Sequence, residues 1–289
     1  ATLHLVGPGG CTDSVSSEIN VYDPRANTNI VYSPVQACNE LTVDFNVSTP
    51  PSTQFTFYFG DGATDTTQSF SLQHFYSRPN YYTPFLILTD NQDCQITING
   101  SPRIEVLGAL PLFGKDKRAF CDSGIVTFQN YTLAPNDPVV YRLWDFGDGN
   151  TSADLNPSHF YTQPGTYEIT HLVRTQTGCE NMMRDTVRVY GTPFARINGD
   201  SIVCVNDILP LQGELIRPDT AITWTWNLGN GSSSSSTSPT VTYGTPGYYN
   251  IRLITANQLD CRDTVYKPVY VPANPTINIA QDPVIIVGN

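Results

Sequence analysis

One short pattern occurs three times in this 289-residue chain and strongly limits the fold that the chain can adopt. A strand with alternating large apolar side chains ends in a Gly-Asp-Gly or Gly-Asn-Gly turn, at residues 55–62, 141–149 and 224–231. A period of two residues predicts a β-strand with one buried face, and glycines around Asp or Asn suit a tight turn that needs positive φ. Each copy therefore predicts a core strand followed by a tight turn.

Other features recur around each copy at similar offsets. A triplet ending in Tyr, a proline and a strand containing tyrosine follow the turn, while one cysteine precedes each copy and another comes after it. The early cysteines are Cys38, Cys121 and Cys204, at intervals of 83 residues, and the late ones are Cys94, Cys179 and Cys261. This period fits one immunoglobulin-sized β-sandwich. We predict three such units, at residues 25–107, 108–191 and 192–272.

The two ends of the chain fit the same repeat. Residues 1–24 contain Cys11-Thr-Asp-Ser-Val and match the closing hairpin of a unit, since similar segments begin at Cys179 and Cys261. Residues 273–289 are predicted to be the first strand of a following unit. We therefore expect the chain to be a segment of a longer array.

Composition agrees with an all-β, extracellular chain. There are 22 prolines and 21 glycines, and short strands separated by turn residues are typical of β-sandwiches. The net charge of −11 argues against a nucleic-acid or anionic-membrane surface, and no apolar run is long enough to cross a bilayer. Seven cysteines without a CxxC pair indicate disulfides outside the reducing cytosol. The predicted architecture is an elongated array of tandem immunoglobulin-like sandwiches.

The middle unit gives the clearest strand prediction. Its strands A, B, C, E, F and G are predicted near residues 110–119, 125–131, 139–146, 159–161, 166–175 and 185–190. Trp144 on strand C is expected to anchor the core, and Tyr167 at the start of strand F is expected to form a tyrosine corner.

Three segments of the middle unit carry a family resemblance. They are Trp-Asp-Phe-Gly-Asp-Gly-Asn-Thr-Ser at 144–152, Asn-Pro-Ser-His-Phe-Tyr at 156–161 and Pro-Gly-Thr-Tyr-Glu-Ile at 164–169. Together they resemble the PKD (polycystic kidney disease) domain. The other two units depart from this pattern at Tyr58, Asn80, Asn227, Leu228 and Asn230, although their aromatic frame persists.

The resemblance implies a function for the whole segment. Paired early and late cysteines, with Asp-Thr-Val after the late one, are similar to PKD arrays in large surface proteins of gliding bacteria, which the type IX system exports. The resemblance therefore implies that this segment is a non-catalytic stalk of a bacterial cell-surface adhesin, stiffened by disulfides. The implied partners are neighbouring repeats of the same chain, and surface polysaccharide or the secretion and motility machinery. The alternative is an accessory module of a secreted hydrolase that holds polysaccharide or protein substrate.

Two disulfide pairings are open at this stage. Pairing inside each unit would give Cys38–Cys94, Cys121–Cys179 and Cys204–Cys261. Strand direction favours pairing between units, because the start of strand B and the tip after strand F lie at opposite ends of a sandwich, more than about 20 Å apart, whereas bonded cysteines need Cα atoms within about 7 Å. This second pairing joins Cys38 to Cys179 and Cys121 to Cys261. It leaves Cys11 and Cys94 to partners upstream and Cys204 to one downstream.

No enzyme signature is present. His74 and His159 occupy one position of the repeat, where the third unit has Val241, so packing explains them better than catalysis does. No nucleophile elbow, zinc-protease motif, P-loop or dinucleotide fingerprint occurs, and we predict no cofactor.

Calcium is the one metal that the sequence suggests. Asp61 with Asp65, and Asp145 with Asp148, place oxygens near turns. Calcium takes six to eight oxygen ligands, and no complete ligand loop is visible. The competing interpretation is that Asp148 caps its own turn through hydrogen bonds.

Two kinds of surface site are also suggested. Surface proteins of the resembling group carry O-glycans on Asp-Ser/Thr-apolar triplets, which makes Ser14, Thr66, Thr186, Thr220 and Thr264 candidates; the alternative is that Asp and Thr merely begin a strand. Exposed tyrosines could stack on carbohydrate, and the candidates are Tyr81, Tyr248 and Tyr249, although a core or corner role is the more ordinary interpretation.

Overall fold

The computed structural model describes residues 2–18, 28–49, 54–67, 69–89, 95–216 and 223–275, and every regular element in them is a β-strand. Within these residues no helix is long and apolar enough to cross a membrane. The chain divides into two compact units. The first contains residues 1–113, 130–143 and 171–183, and the second contains 114–129, 144–170 and 184–289.

The N-terminal segment forms the predicted hairpin. Strands β1 (Thr2–Val6) and β2 (Thr12–Ser16) pair antiparallel from Thr2 opposite Ser16 to Val6 opposite Thr12. Residues 19–27, and the predicted tail strand from residue 276 onward, lie outside the described residues.

The first sandwich has three sheets. Its strands are β3 (Asn29–Ser33), β4 (Gln36–Cys38), β5 (Leu41–Ser48), β6 (Gln54–Tyr58), β7 (Thr64–Thr67), β8 (Ser71–Tyr76), β9 (Asn80–Tyr82), β10 (Phe85–Thr89), β11 (Gln95–Asn99) and β12 (Ile104–Leu107). The sheet orders are β3-β5-β8, β4-β12-β9 and β11-β10-β6-β7. Strand β5 alternates buried and exposed residues along its whole length, which places Val43 and Phe45 in the core.

The middle repeat adds eight strands. They are β13 (Phe113–Lys115), β14 (Ala119–Cys121), β15 (Gly124–Asn130), β16 (Val139–Asp145), β17 (Thr151–Ser152), β18 (Ser158–Tyr161), β19 (Gly165–Thr175) and β20 (Glu180–Tyr190). They form sheets in the orders β13-β15-β18 and β14-β20-β19-β16-β17.

Two strand predictions for this repeat were wrong. Strand A is not continuous, because Asp116 exchanges backbone and side-chain hydrogen bonds with Thr127, after which β14 pairs in parallel with β20 in the other sheet. Strand G begins at Glu180 rather than Asp185, so Asp185 lies inside β20 and not at its entry.

The third sandwich completes the described chain. Its strands are β21 (Ala195–Asn198), β22 (Leu209–Pro210), β23 (Gln212–Leu215), β24 (Thr223–Asn227), β25 (Ser233–Ser234), β26 (Thr240–Val241), β27 (Gly247–Ala256) and β28 (Arg262–Val271). Strands β27 and β28 form a long hairpin within the sheet β25-β24-β27-β28. Pairs β21-β23 and β22-β26 make two further sheets.

The recurring aromatic residues form the cores, as predicted. Trp144 and Trp226 are fully buried, and their indole N–H groups donate to Asp154 O and Ser236 O, at 3.0 and 2.7 Å. The Tyr167 hydroxyl donates to Gln163 O at 2.7 Å, which is the predicted tyrosine corner.

Candidate functional site

Each of the first two Gly-Asp-Gly turns carries an Asp–His pair. In the middle repeat Asp148 Oδ2 lies 2.7 Å from His159 Nε2, and its Oδ1 accepts a hydrogen bond from Asn150 N at 3.1 Å. The His159 ring stacks on Phe146 with ring centroids 4.2 Å apart. In the first repeat Asp61 and His74 make the same 2.7 Å contact. Burial tends to raise the pKa of Asp148, but the bonds from His159 and Asn150 outweigh it and hold that pKa below its usual range.

In the third repeat, the uncharged Asn230 makes the hydrogen bonds at the corresponding turn. Asn230 Nδ2 donates to Thr242 O at 3.1 Å, Asn230 Oδ1 accepts from Ser232 N at 3.0 Å, and Val241 is buried where the other repeats have histidine. Because Asn230 bonds to the backbone of Thr242 in place of the charged Asp–His contact, we interpret the cluster as holding the turn against its sandwich. The sequence predicted that Asp148 caps its own turn, but it did not predict the hydrogen bond between Asp148 and His159. The signal was that Asp and His disappear together in the third repeat.

The calcium candidates do not come together as a ligand set. Asp145 Oδ1 accepts from Gly147 N at 2.9 Å, while Asp65 lies on β7 opposite Phe57. Across the described ranges, no group of three or more His, Cys, Asp or Glu side chains could hold a metal ion. The carboxylates near the turns are engaged by backbone N–H groups and histidine.

A groove lies beside the first turn. Its volume is about 720 Å³, and its lining includes Asp61, Arg78, Asn80, Leu110 and Leu133. The one carboxylate in its lining, that of Asp61, is already bonded to His74. The groove therefore holds no set of groups suited to acid–base or nucleophilic chemistry.

Each compact unit contains one disulfide that links consecutive repeats. In the first unit Cys38 bonds to Cys179, 141 residues away, with Cα atoms 5.4 Å apart. Asn39 Nδ2 donates to Glu180 O at 2.7 Å, and Asn181 Nδ2 donates to Ala109 O at 3.0 Å. Polar bonds therefore flank the disulfide on both sides.

A buried carboxylate completes this first junction. Asp137 is 1% exposed and accepts hydrogen bonds from Thr177 N and Thr177 Oγ1. Burial tends to raise the pKa of Asp137, but hydrogen bonds from Thr175, Thr177 and Gly108 outweigh it and keep that pKa below its usual range. A satisfied buried network of this kind fixes one geometry.

The second junction repeats the design with other residues. Cys121 bonds to Cys261, 140 residues away, with Cα atoms 5.8 Å apart. Asn257 Nδ2 donates to Gly191 O at 2.9 Å, and Thr255 Oγ1 donates to Pro193 O at 2.7 Å. The linker between these repeats is therefore held at its backbone.

The other cysteines are placed differently. Cys11 and Cys204 are exposed and carry free thiols, and Cys94 lies outside the described residues. The intra-unit pairs Cys38–Cys94, Cys121–Cys179 and Cys204–Cys261 do not form, because Cys38, Cys179 and Cys261 are bonded to partners in other repeats.

The glycosylation candidates that the structure describes are all exposed. Ser14, Thr186 and Thr264 each donate a backbone N–H to Oδ1 of the preceding Asp, at 2.7–2.9 Å. Thr66 lies on the short strand β7, and Thr220 is outside the described residues.

The three tyrosines considered for carbohydrate stacking differ in access. The Arg103 guanidinium covers the Tyr81 ring at 3.8 Å from its centroid. Tyr249 packs on Tyr243 with ring centroids 4.0 Å apart, and its hydroxyl donates to Thr245 O. Tyr248 alone of the three is open, with 83% of its surface exposed.

Comparison with known proteins gives one family. The sequence model described as "PKD domain" matches residues 114–191 and 190–271. Collagenase ColA of Bacillus cereus is 32% identical over 96 residues, which is 32% of this chain and 10% of the collagenase. Pre-pro-metalloprotease PrtV of Vibrio cholerae is 36% identical over 70 residues, 24% of this chain and 8% of that protein. The matches thus span a tenth or less of these relatives.

One solved structure resembles about the same fraction of this chain as the two relatives do. It is the crystal structure of the PKD1 domain from Vibrio cholerae metalloprotease PrtV, with 29% sequence identity and a TM-score of 0.26, covering 29% of this chain and 98% of that one.

Proposed function

The chain belongs to the PKD domain family, and on that premise we propose that it is a non-catalytic spacer within a longer extracellular protein. The observation that carries the proposal is the pair of inter-repeat junctions. Each one combines a disulfide with side-chain hydrogen bonds to the backbone of the adjoining repeat. A hinge between repeats needs freedom at this point, and a cross-link removes it. The segment would therefore keep the parts of the protein on either side of it at a fixed distance.

We further propose that the parent protein is a bacterial cell-surface adhesin of the gliding-motility type, exported by the type IX system. Supporting this are the paired early and late cysteines and the Asp-Ser-Val or Asp-Thr-Val triplet that follows three of the late ones. The triplet begins two residues after Cys11 and Cys261 and six residues after Cys179. Neighbouring repeats of the same chain are its first partners, and Cys204 is exposed for a bond to a downstream repeat. Surface polysaccharide or the motility machinery would be the outer partners.

Small-angle X-ray scattering of the oxidised and reduced chain tests the spacer role. A compact globule of 289 residues has a radius of gyration of about 19 Å. We expect the oxidised chain to exceed this value clearly and to give a scattering curve of one stiff body. Reduction should broaden the distance distribution, because the junctions then hinge. An oxidised radius near the globular value would contradict the proposal.

The predicted unit boundaries at residues 25–107, 108–191 and 192–272 remain a proposal. Native-state hydrogen exchange of the reduced chain is the direct test. Groups of amides that open together and end near residues 108 and 192 would support them, while groups that extend across these positions would not.

We also propose O-glycosylation at Ser14, Thr66, Thr186, Thr220 and Thr264 in the native host. Support comes from the Asp-Ser/Thr triplets and from the exposure of the four sites that the structure describes. Peptide mass mapping of the native protein should show added hexose mass on these peptides. Unmodified peptides at all five sites would contradict the proposal.

A second candidate function is an accessory module that holds substrate for a secreted hydrolase. The relatives named collagenase and metalloprotease favour it. Co-sedimentation with insoluble collagen would test the protein-substrate form of this candidate. A pellet that retains the wild-type chain at physiological ionic strength would support it, and complete recovery in the supernatant would exclude that substrate.

A further inference from the structure

The outer face of the sheet β25-β24-β27-β28 differs from the rest of this acidic chain. Side chains alternate along a strand, so every second residue of β27 and β28 points away from the core. The exposed outward positions include Tyr248, Asn250 and Arg252 of β27, Tyr266 and Tyr270 of β28, and Asn227 of β24. We call these six residues the tyrosine face.

Aromatic rings stand open on this face. Tyr248 is 83% exposed and stacks on Tyr270, its partner across the hairpin, with ring centroids 4.7 Å apart. Ile202, which is 65% exposed, pairs with Tyr270 from the other side in an isolated bridge. Tyr266 is 60% exposed and lies about 14 Å along the same strand. Two aromatic platforms therefore follow one another along this face.

The fold does not require this aromatic row. In the first repeat the matching row is Tyr81, Glu105 and Gln36, and the Arg103 side chain covers the tyrosine. In the middle repeat Arg188 pairs with Ala119 at the positions that match Tyr270 and Ile202. Exposing apolar rings costs solubility and does not stabilise the core, so a binding role is the physical reason to keep them.

The charge of the face is opposite to that of the chain. None of its outward positions, all within the described residues, carries Asp or Glu, although the chain has a net charge of −11. Arg252 lies opposite Tyr266 on one side and Asn227 on the other, and among the described residues it has no ion-pair partner. An exposed guanidinium between a tyrosine and an amide is suited to a carboxylate, which it can bind with two parallel hydrogen bonds.

We propose that the tyrosine face binds an acidic polysaccharide, a chain containing uronic acids. The apolar faces of its pyranose rings stack on Tyr248 with Tyr270 and on Tyr266, because C–H groups pack favourably on aromatic rings. A sugar carboxylate pairs with Arg252, and the amides of Asn227 and Asn250 bind hydroxyl groups. Polar side chains separate the rings of this face, as polar edges separate the apolar faces of successive sugars along a polysaccharide.

This inference gives the second candidate function a site and a substrate class, and it rests on that candidate. The spacer role does not depend on it, since scattering of the oxidised and reduced chain tests that role separately. Failure of one experiment therefore leaves the other result standing.

The experiment is affinity electrophoresis and calorimetric titration of the 289-residue chain produced in a host that adds no glycans. The probes are polygalacturonate and alginate, with methyl-esterified polygalacturonate as the matched polymer whose carboxylates are masked. We expect binding to at least one of the two polyuronates, at least tenfold weaker binding to the ester, and loss of binding in 0.5 M salt.

Three variants locate the site. Tyr248→Thr installs the residue of the middle repeat and should weaken binding about five- to tenfold, as should Tyr266→Thr. Arg252→Gln should weaken polyuronate binding about tenfold and leave binding of the ester unchanged. Arg196→Gln is the matched charge control, because it removes one positive charge outside the tyrosine face, and it should bind as the wild type does.

Several results would overturn the proposal. They are no binding of either polyuronate, equal binding of polygalacturonate and its ester, or equal losses in Arg252→Gln and Arg196→Gln. Capture of a proline-rich peptide by Tyr248 and Tyr266 without polyuronate binding would assign the face to a protein ligand instead. Circular dichroism of each variant confirms that the sandwich remains folded.

Discussion

At the scale of single residues, His171 occupies a core position that the other repeats fill with leucine. It is fully buried, like Leu86 and Leu253 at the matching positions. Burial, with the nearby Arg142 as a smaller cause, lowers the pKa of His171 to about 4. Since the unfolded chain binds a proton near pH 6.5 and the folded one does not, stability is full above that pH and falls as the pH drops toward 4.

The first prediction is that His171→Leu removes part of this pH dependence. Between pH 7.5 and pH 5 the wild type should lose on the order of 2 kcal/mol through this group, and the variant should not. The variant should also be more stable at pH 7.5 by about 1 kcal/mol, because no imidazole is desolvated. Urea unfolding at the two pH values measures both effects. His4→Leu, on the exposed strand β1, is the control, and an unchanged pH slope in His171→Leu would contradict the prediction.

The second prediction concerns the Asp148–His159 pair. Asp148→Asn and His159→Val should each cost about 1–2 kcal/mol, because the remaining partner loses a bond in a half-buried site. The double variant carries the residues of the third repeat, Asn230 and Val241, and should cost less than the sum by about 1 kcal/mol. Urea unfolding of the four proteins gives the coupling. Strict additivity would mean that the 2.7 Å contact contributes nothing.

Much at this scale was readable from the sequence. The buried Trp144 and the corner Tyr167 follow from alternation and from the position of Tyr at the start of a strand. The bond from His159 to Asp148 did not follow, because it depends on how β18 returns beside the turn, and no local propensity encodes that return.

At the scale of elements, the two glycines of each turn have different tasks. A Cβ on Gly147 would lie 2.5 Å from Glu168 O on β19, whereas a Cβ on Gly149 would meet nothing within 4 Å. Both residues have positive φ, at 79° and 90°. The first glycine therefore allows the turn to approach the neighbouring strand, and the second only allows the turn itself.

The third prediction follows from this difference. Gly149→Ala should cost about 1 kcal/mol from the positive φ alone. Gly147→Ala should cost about 3 kcal/mol or more, because backbone atoms must also move. Thermal unfolding of the two variants gives the comparison, and similar losses in both would show that the close approach to β19 can relax freely.

Strand prediction succeeded where apolar and polar residues alternate strongly, and it failed where hydrogen-bond partners determine the ends of a strand. Strand C of the middle repeat was predicted at residues 139–146 and is β16, Val139–Asp145. Strand A splits because Asp116 ends the pairing with β15, which depends on a partner, Thr127, that sequence patterns do not identify. The early start of β20 likewise reflects pairing across the hairpin with β19 and not the composition of residues 180–184.

At the scale of the whole molecule, the cysteines were the hardest feature to read. Spacing alone allowed intra-unit and inter-unit pairs, since both use one early and one late cysteine. The direction of the strands favoured the inter-unit pairs, and the structure joins Cys38 to Cys179 and Cys121 to Cys261. Strand direction argues against the intra-unit pairs, but the partner of each cysteine depends on the placement of consecutive repeats, which is a tertiary property.

The fourth prediction is that these bonds stabilise the chain as well as stiffen it. Each closes a loop of about 140 residues, which in the chain-entropy model costs the unfolded state roughly 5 kcal/mol. The double variant Cys121→Ser with Cys261→Ser should therefore lower the unfolding free energy by a few kcal/mol, because loss of the covalent constraint is only partly offset by strain relief. Cys204→Ser, which alters a free thiol, is the matched control. Urea unfolding with and without reductant gives the measurement: the control should lose stability on reduction, and the double variant should lose less. If reduction leaves the control unchanged, the hydrogen bonds at Asn257 and Thr255 alone hold the second junction.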